Sequence, residues 1–529
     1  MSGTWPLTRF VLRRDRVRLT VWVLSITVVV LGSVTSFSTT YPTAADRAAR
    51  IDVLQGSAAA ALFVGPGYGA EDYTFGAMTA NELLPLTALV VGLMSIFLVV
   101  RHTRAEEEEG RADLVRSAMV GRRAAATAAL AEAFGAQLVL CALLAAGLPA
   151  ALDGLDPAGS LAFASAIAGV GFVFAALALV AAQLTVSARS ALGLASVALA
   201  ALYLLRALAD LAGVSALAWL SPFGWASNMR AYVDERWWPL LLFAAATAAL
   251  VAVAFRILAG RDLGAGIVGD RPARPRAAPW LRSPLALALR LQRTSLIAWG
   301  ASLFALGAVY GSIATEASKL SGDVVSLRDY YQRIGTGAVV DQFLSVTLSI
   351  CALVAAGFAI QAAARARGEE SAQRVEPVLA TPVARARWLG SHLALSLGGG
   401  AAMLLAIGIG LGGAYALSSG DAAQLPRLVG AALAYAPAVW VFSGLAALLF
   451  GLLPRATAWT WAVFGAVVFV GFLGPLLKLP GWVFDLSPFE HVPTLPAEGF
   501  SLLPLLVLTA IAAALAAGGI AAFRRRDIG

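Results

Sequence analysis

The chain has 529 residues, of which 59% are hydrophobic and only 13% charged. That composition excludes a soluble globular protein and points to an all-α, polytopic membrane protein. The formal net charge of +8 lies mostly in arginines that flank apolar stretches, so it gives no reason to expect nucleic acid as a partner.

A bilayer core of about 30 Å takes roughly 20 apolar residues as a helix. In chain order, stretches free of Asp, Glu, Lys and Arg predict twelve spans: 19–45, 83–100, 124–152 (interrupted only by Glu132), 157–188, 190–205, 237–255, 294–315, 342–364, 388–420, 428–454, 456–477 and 499–523. Arg13, Arg14, Arg16 and Arg18 precede the first. Its apolar part nevertheless exceeds the ~7–15 residues of a signal-peptide core, so it reads as a retained span. The fifth is the shortest, and Arg206 closes it. The two cysteines, Cys141 and Cys351, both fall inside apolar runs, which argues against a disulfide framework or a thiolate metal site.

Twelve spans put both termini on one side. The termini and every second loop carry 29 of the 39 Lys and Arg residues but only 12 acids, whereas the opposite loops carry 10 basic and 18 acidic residues. By the positive-inside rule the first set faces the cytoplasm. The stretch RAEEEEGRADLVRSAMVGRR, 104–123, therefore meets the cytosol.

The chain also repeats itself. RLQRTSLIAW (290–299) matches RRDRVRLTVW (13–22), with Arg290 and Arg293 in register with Arg13 and Arg16. RGEESAQRVEPVLATPVAR (367–385) overlays RAEEEEGRADLVRSAMVGR (104–122), pairing Glu369, Glu370, Arg374, Glu376 and Val378 with Glu106, Glu107, Arg111, Asp113 and Val115. SPFGW (221–225) precedes SPFEH (487–491), and RDLG (261–264) precedes RDIG (526–529). Two six-span halves, 1–259 and 285–529, thus flank a linker, 260–284, whose Pro272, Pro275, Pro279 and Pro284 predict an irregular cytoplasmic connector. Parallel repeats of this kind leave a central interface through which a substrate could pass.

The repeated acidic stretch suits a short helix on the membrane surface. Its glutamates come first, where the helix dipole favours anions, and Arg116, Arg122 and Arg123 come last. Glu107 and Arg111 are spaced for pairing, while Leu114, Val115, Ala118 and Met119 form an apolar edge. A single such loop reads as ordinary solvated charge; two related copies suggest paired docking elements for a two-fold symmetric partner.

Two six-span halves, each opened by a basic amphipathic segment, each with an E-E-x-x-x-R-x-[DE]-x-V loop after its second span and each closed by R-D-[LI]-G, resemble the permease of an actinobacterial ABC exporter. They are most similar to the polyketide or tetronasin-type antibiotic exporters, in which both halves are fused. The resemblance implies coupling helices that dock a separate ATPase at Glu106, Glu107, Glu108, Glu109, Gly110, Arg111, Asp113, Leu114 and Arg116, and at Glu369, Glu370, Arg374, Glu376, Val378 and Leu379. It implies elbow helices along the inner leaflet carrying Arg13, Arg14, Arg16, Arg290 and Arg293 against anionic lipid head groups or the ATPase. The second copy departs from the first, with Ser371 and Ala372 replacing two glutamates and Pro377 following Glu376. The SPFGW and SPFEH regions resemble re-entrant turns before the last span of each half; plain loops fit them equally well.

A P-loop needs a Gly-Lys pair to cradle phosphates, and none occurs in this chain. ATP and Mg are accordingly expected on a partner ATPase, in two copies, with no cofactor bound by this chain. The expected cargo is a hydrophobic or amphipathic small molecule leaving a bacterial cell across its inner membrane; its binding residues are not readable. The alternative is an ion-coupled multidrug carrier, which needs ionisable groups at mid-membrane. Glu132 is the one candidate, and Leu395 stands at its place in the second half. His102, His392 and His491 are scattered along the chain, so no metal site is expected. Facing the other side, GPGYG (65–69) predicts a glycine-shaped turn after a surface helix around 43–61, either a cap over the pathway's exit or a plain connector.

Overall fold

The computed structural model describes residues 3–55, 63–112, 120–262, 266, 278–323, 339–473 and 479–527. The expected docking residues Asp113, Leu114 and Arg116, and most of the expected linker, lie outside that set. Among the described residues there is no strand, and eleven helices are long and apolar enough to cross a membrane. The predicted stretch 456–477 holds the shorter helix Trp459–Leu473, of 15 residues, and 474–478 are not described. The chain divides into two compact units, Met1–Ala273 and Arg274–Gly529.

Local chemistry sets the helix ends. Thr74 accepts from the Ala77 amide to start Phe75–Val100, Asp156 with Pro157 starts Pro157–Leu184, and Ser187 starts Ala188–Ala212. Each supplies an oxygen to an otherwise orphaned first-turn N–H. Gly213 and Gly420 end their helices at φ 65° and 74°, where a left-handed residue lets the last carbonyls be satisfied.

Three expectations change. The basic elbow segment is not a helix apart: Thr4–Thr40 is a single run of 37 residues, about 55 Å long at 1.5 Å per residue. No proline interrupts it after Pro6, so nothing breaks backbone pairing where the arginines give way to valines. Pro284–Asp323, 40 residues, does the same in the second unit. The fifth span does not stop at Arg206, because its helix continues to Ala212 with Arg206 fully buried. Finally, the glutamates end a helix instead of opening one. Phe75–Val100 passes through a π turn, Arg101–Ala105, into Glu106–Glu108, and Val339–Ser371 carries Glu369 and Glu370 in its last turn.

The first unit is built around Pro157–Leu184, which packs against Phe75–Val100, Ala124–Ala151 and Pro239–Gly260 and buries Phe163, Phe174 and Leu179 completely. Phe174 and Tyr203 both contact Phe223 of the SPFGW turn, with ring centroids at 5.5 and 5.2 Å. In the second unit Phe489 of SPFEH packs on Tyr435 and Phe442. Both turns are made alike: the Phe223 and Phe489 amides donate to Ser221 and Ser487 Oγ at 3.2 and 3.3 Å. The second unit relies on small residues to bring helices close. A Cβ on Gly311 would meet the Leu411 carbonyl oxygen at 2.2 Å, and one on Gly410 would meet that of Phe304 at 2.2 Å.

At the other end of the first unit, Gly67 and Gly69 take φ 78° and 77°, as the GPGYG pattern predicts. Asn81 holds that turn through its side chain, accepting from the Gly67 amide at 3.0 Å and donating to the Tyr68 carbonyl at 2.8 Å.

Candidate functional site

In the first unit five helix ends and the flank of the opening helix meet around the glutamates. Arg14, on the opening helix, donates to Glu106 at 2.6 Å. Arg104, near the end of the second-span helix, reaches the carbonyls of Ala182 and Thr185 at the end of Pro157–Leu184. The Ala188 amide, first residue of the next helix, donates to Glu108 at 2.8 Å. Arg261, just past Pro239–Gly260, grips Glu107 with contacts of 2.7 and 3.0 Å. Arg122, just ahead of Ala124–Ala151, donates to the Arg261 carbonyl.

The second unit repeats this with its own residues. Arg526, just past Leu502–Arg525, grips Glu370 at 2.8 and 2.7 Å. Arg385, at the start of the next helix, donates to the Arg526 carbonyl at 2.6 Å. Arg111 bonds Glu106 at 2.8 Å and Arg374 bonds Glu369 at 3.0 Å, five residues on in both cases. Even the turn is shared: Gly110 has φ 72° and Gln373, its counterpart, φ 55°, a left-handed conformation uncommon for a residue with a side chain.

This geometry reverses the expected electrostatics. Carboxylates at a helix C-terminus face the negative end of the dipole, and arginines offset that cost at each. Arg104 and Arg261 hold Glu107, Arg14 and Arg111 hold Glu106, Arg365 and Arg374 hold Glu369, and Arg526 holds Glu370. Glu107 thus pairs with those two arginines and not with Arg111, against the spacing argument. The exposed groups are Glu108, Glu109, Gly110 and Arg111 in the first copy, and Arg374 and Glu376 in the second. Val378 and Leu379 are half-buried against a cluster that includes Trp388, Phe450 and Phe523. Arg13, Arg16, Arg290 and Arg293 are exposed.

The two copies are not identical. Arg14 ties the opening helix to Glu106, but Leu291 stands at its place in the repeat, and Arg365 of the same helix serves Glu369 instead.

A second cluster lies beside the first and was missed by the sequence reading. His102 Nε2 is 2.9 Å from Asp15 Oδ2 and 3.2 Å from Glu132 Oε2, all three side chains being buried. Arg18 and Arg101 close on the same Asp15 oxygen at 3.2 and 3.1 Å, so the protein's own cations already face the carboxylate a metal would need. The residues are scattered in sequence but come from three adjacent helices. A signal was present, since Asp15 and Glu132 are isolated acids among apolar or basic neighbours. Gln292, Arg365 and Leu395 occupy the corresponding positions in the second half, so the cluster belongs to the first half alone. Among the described residues neither Glu132 oxygen accepts a hydrogen bond, since the 3.2 Å approach of His102 lacks the required angle. Glu132→Gln is therefore expected to leave thermal stability within about 1 kcal/mol of wild type or raise it, measured as the unfolding midpoint in detergent; a loss well beyond that would show that the negative charge is needed.

Residues 281–524 match the family model described as the C-terminal domain of the multidrug efflux system permease Rv1217c. Across its whole length, with 100% of this chain and 95% of the relative covered, the chain is 42% identical over 530 residues to the multidrug efflux system permease protein Rv1217c of Mycobacterium tuberculosis (strain ATCC 25618 / H37Rv).

Proposed function

We propose, from the premise that the chain belongs to the Rv1217c family of actinobacterial multidrug efflux permeases, that it is the membrane subunit of an ATP-driven exporter of hydrophobic or amphipathic drugs. The full-length similarity to an efflux permease carries this reading. A polyketide antibiotic of the tetronasin type is one candidate cargo within the class. The chain has no Gly-Lys pair and so no P-loop of its own. ATP and Mg belong to a separate ATPase, which two copies of the acidic turn suit in two copies.

In this reading residues 1–259 and 285–529 are two six-span halves joined by a cytoplasmic linker, 260–284, with both termini in the cytoplasm of a bacterial cell. The arginine asymmetry of the loops supports that orientation. The ATPase docks at the turns that follow the second span of each half. Glu109 to Arg111 and Arg374 to Glu376 present the exposed charge there, while Glu106, Glu107, Glu369 and Glu370 set the turns' geometry from behind. Exposed Arg13, Arg16, Arg290 and Arg293 lie against anionic lipid head groups. ATP-driven closure of the partner would pull on both turns and shift the side to which the pathway opens.

The reading is tested in inverted membrane vesicles with ethidium as probe, alongside affinity purification of the tagged permease. Expected are a co-purifying ATPase and dye uptake that requires ATP and stops with vanadate. Uptake that needs no ATP and collapses with a protonophore would replace the exporter with an ion-driven carrier.

A further inference from the structure

Each half ends in R-D-[LI]-G, and nothing in docking or transport as set out above requires it. We infer that Arg261 and Arg526 are positioning residues that latch the ATPase-facing turn of each half to its last membrane helix, by holding Glu107 and Glu370. This rests on the docking role proposed for the turns.

The latch has four parts, the same in both halves. The arginine follows the last helix directly, after Pro239–Gly260 in one half and at the end of Leu502–Arg525 in the other. In both halves one guanidinium nitrogen, Nη2, meets both oxygens of the second glutamate of E-E-x-x-x-R, a charge-assisted contact stronger than a neutral one. Its own carbonyl is held from behind by Arg122 or Arg385, which sits where the loop re-enters the next helix. The glutamate it holds closes the second-span helix, one step before the turn. The last helix, the second and the third are thereby joined at a single arginine.

Exposed ion pairs contribute little, but these are not exposed. The Arg261 side chain is 3% accessible and Glu107 11%, while Arg526 and Glu370 are 15% each. Arg526 also lies 5.1 and 5.3 Å from the ring centres of Phe450 and Phe523, which limits its freedom before any carboxylate arrives. Four equivalent contacts at equivalent positions would be an unusual coincidence for incidental surface charge.

A partner pressing on the turn consequently moves the last helix too, because carboxylate and arginine shift together. The halves are not equally protected. Glu107 keeps Arg104 at 2.7 Å when Arg261 is lost, whereas Arg526 is the one arginine bonded to Glu370 among the described residues. The second latch is the weaker point.

The test uses the full-length chain expressed with its ATPase, comparing wild type with Arg526→Glu, Glu370→Arg and the double exchange. Ethidium uptake per ATP hydrolysed, the amount of ATPase co-purified and the unfolding midpoint are read for each. Either single reversal should cut uptake per ATP by about tenfold or more, as expected when one partner of a largely buried pair is reversed. The double exchange should recover to within about threefold of wild type, since it restores the pair with its sense inverted. Arg261→Glu should lose less than Arg526→Glu. Arg526→Gln guards against a reversal that simply fails to fold: it adds no like charge beside Glu370, so its midpoint should fall less than that of Arg526→Glu while uptake per ATP by the folded protein still falls. Wild-type coupling in Arg526→Gln, or no recovery in the double exchange, overturns the latch while leaving the exporter intact. A wild-type chain that recruits no ATPase overturns the exporter reading and the latch with it.

Discussion

Replacing Arg206 with leucine is expected to cost about 3–5 kcal/mol, the range for removing one partner of a buried ion pair, and to abolish recovery of folded protein. Arg206 has no solvent exposure, yet it sits well inside a helix long and apolar enough to span the membrane. Its guanidinium donates to the Val64 carbonyl at 2.7 Å and to Asp210 at 3.1 Å, and lies 4.9 Å from the Tyr203 ring centre. Leucine would strand both the Asp210 carboxylate and the Val64 carbonyl in a site shielded from water, which is where the destabilisation arises. Lysine keeps the charge but not the planar fork that serves two acceptors while stacking on a ring, so Arg206→Lys should fall between. Pairing Arg206→Leu with Asp210→Leu should recover part of the loss, because no charge is then left alone. The unfolding midpoint in detergent and the yield of monodisperse protein measure all three. An unchanged midpoint in Arg206→Leu would mean that this arginine does not pin the 63–69 segment to the fifth span.

Gly311→Leu should unfold the second unit almost as effectively. The Gly311 and Gly410 Cα atoms face backbone across the crossing of Pro284–Asp323 and Arg385–Ser419, and Gly307, one turn earlier, would place a Cβ 2.6 Å from the Ile407 carbonyl oxygen. The G-x-x-x-G spacing of Gly307 and Gly311 keeps both on one helix face, and in lipid such packing takes much of the role that the hydrophobic effect plays in water. A leucine there can be accommodated only by parting the helices, at about 3 kcal/mol or more. Gly413→Ala is the control, because Gly413 lies on the partner helix Arg385–Ser419, three residues past Gly410, with nothing within 4 Å of its Cβ. It should be neutral or slightly stabilising, since alanine favours helix. Equal losses in both variants would show that glycine flexibility matters there and close approach does not.

Much of this protein can be read from residue order, and the reason is the solvent. A bilayer requires every backbone group to pair within its own segment, so an apolar run of about 20 residues has few options besides a helix. Eleven of the twelve expected spans and the glycine-shaped turn at 65–69 followed from that constraint and from local rules. The helix ends at the charged loops did not. On that reading each span ends where charge begins, at Arg18, at Arg101 and at Arg206. A helix, however, is held by its own backbone bonds, which continue through charge as long as no proline intervenes and partners wait nearby.

Those partners are what tertiary structure alone decided. The same four-glutamate stretch reads as a solvated docking face or as a set of locked carboxylates, according to whether Arg14 and Arg261 arrive from distant parts of the chain. His102 likewise looks solitary in the sequence and proves to be the meeting point of Asp15 and Glu132. Residue order determined which segments lie in lipid, because that depends on summed apolar character along one helix. Which charges pair depends on where three or four helix ends converge, and the energy of a carboxylate changes by several kcal/mol with the group beside it.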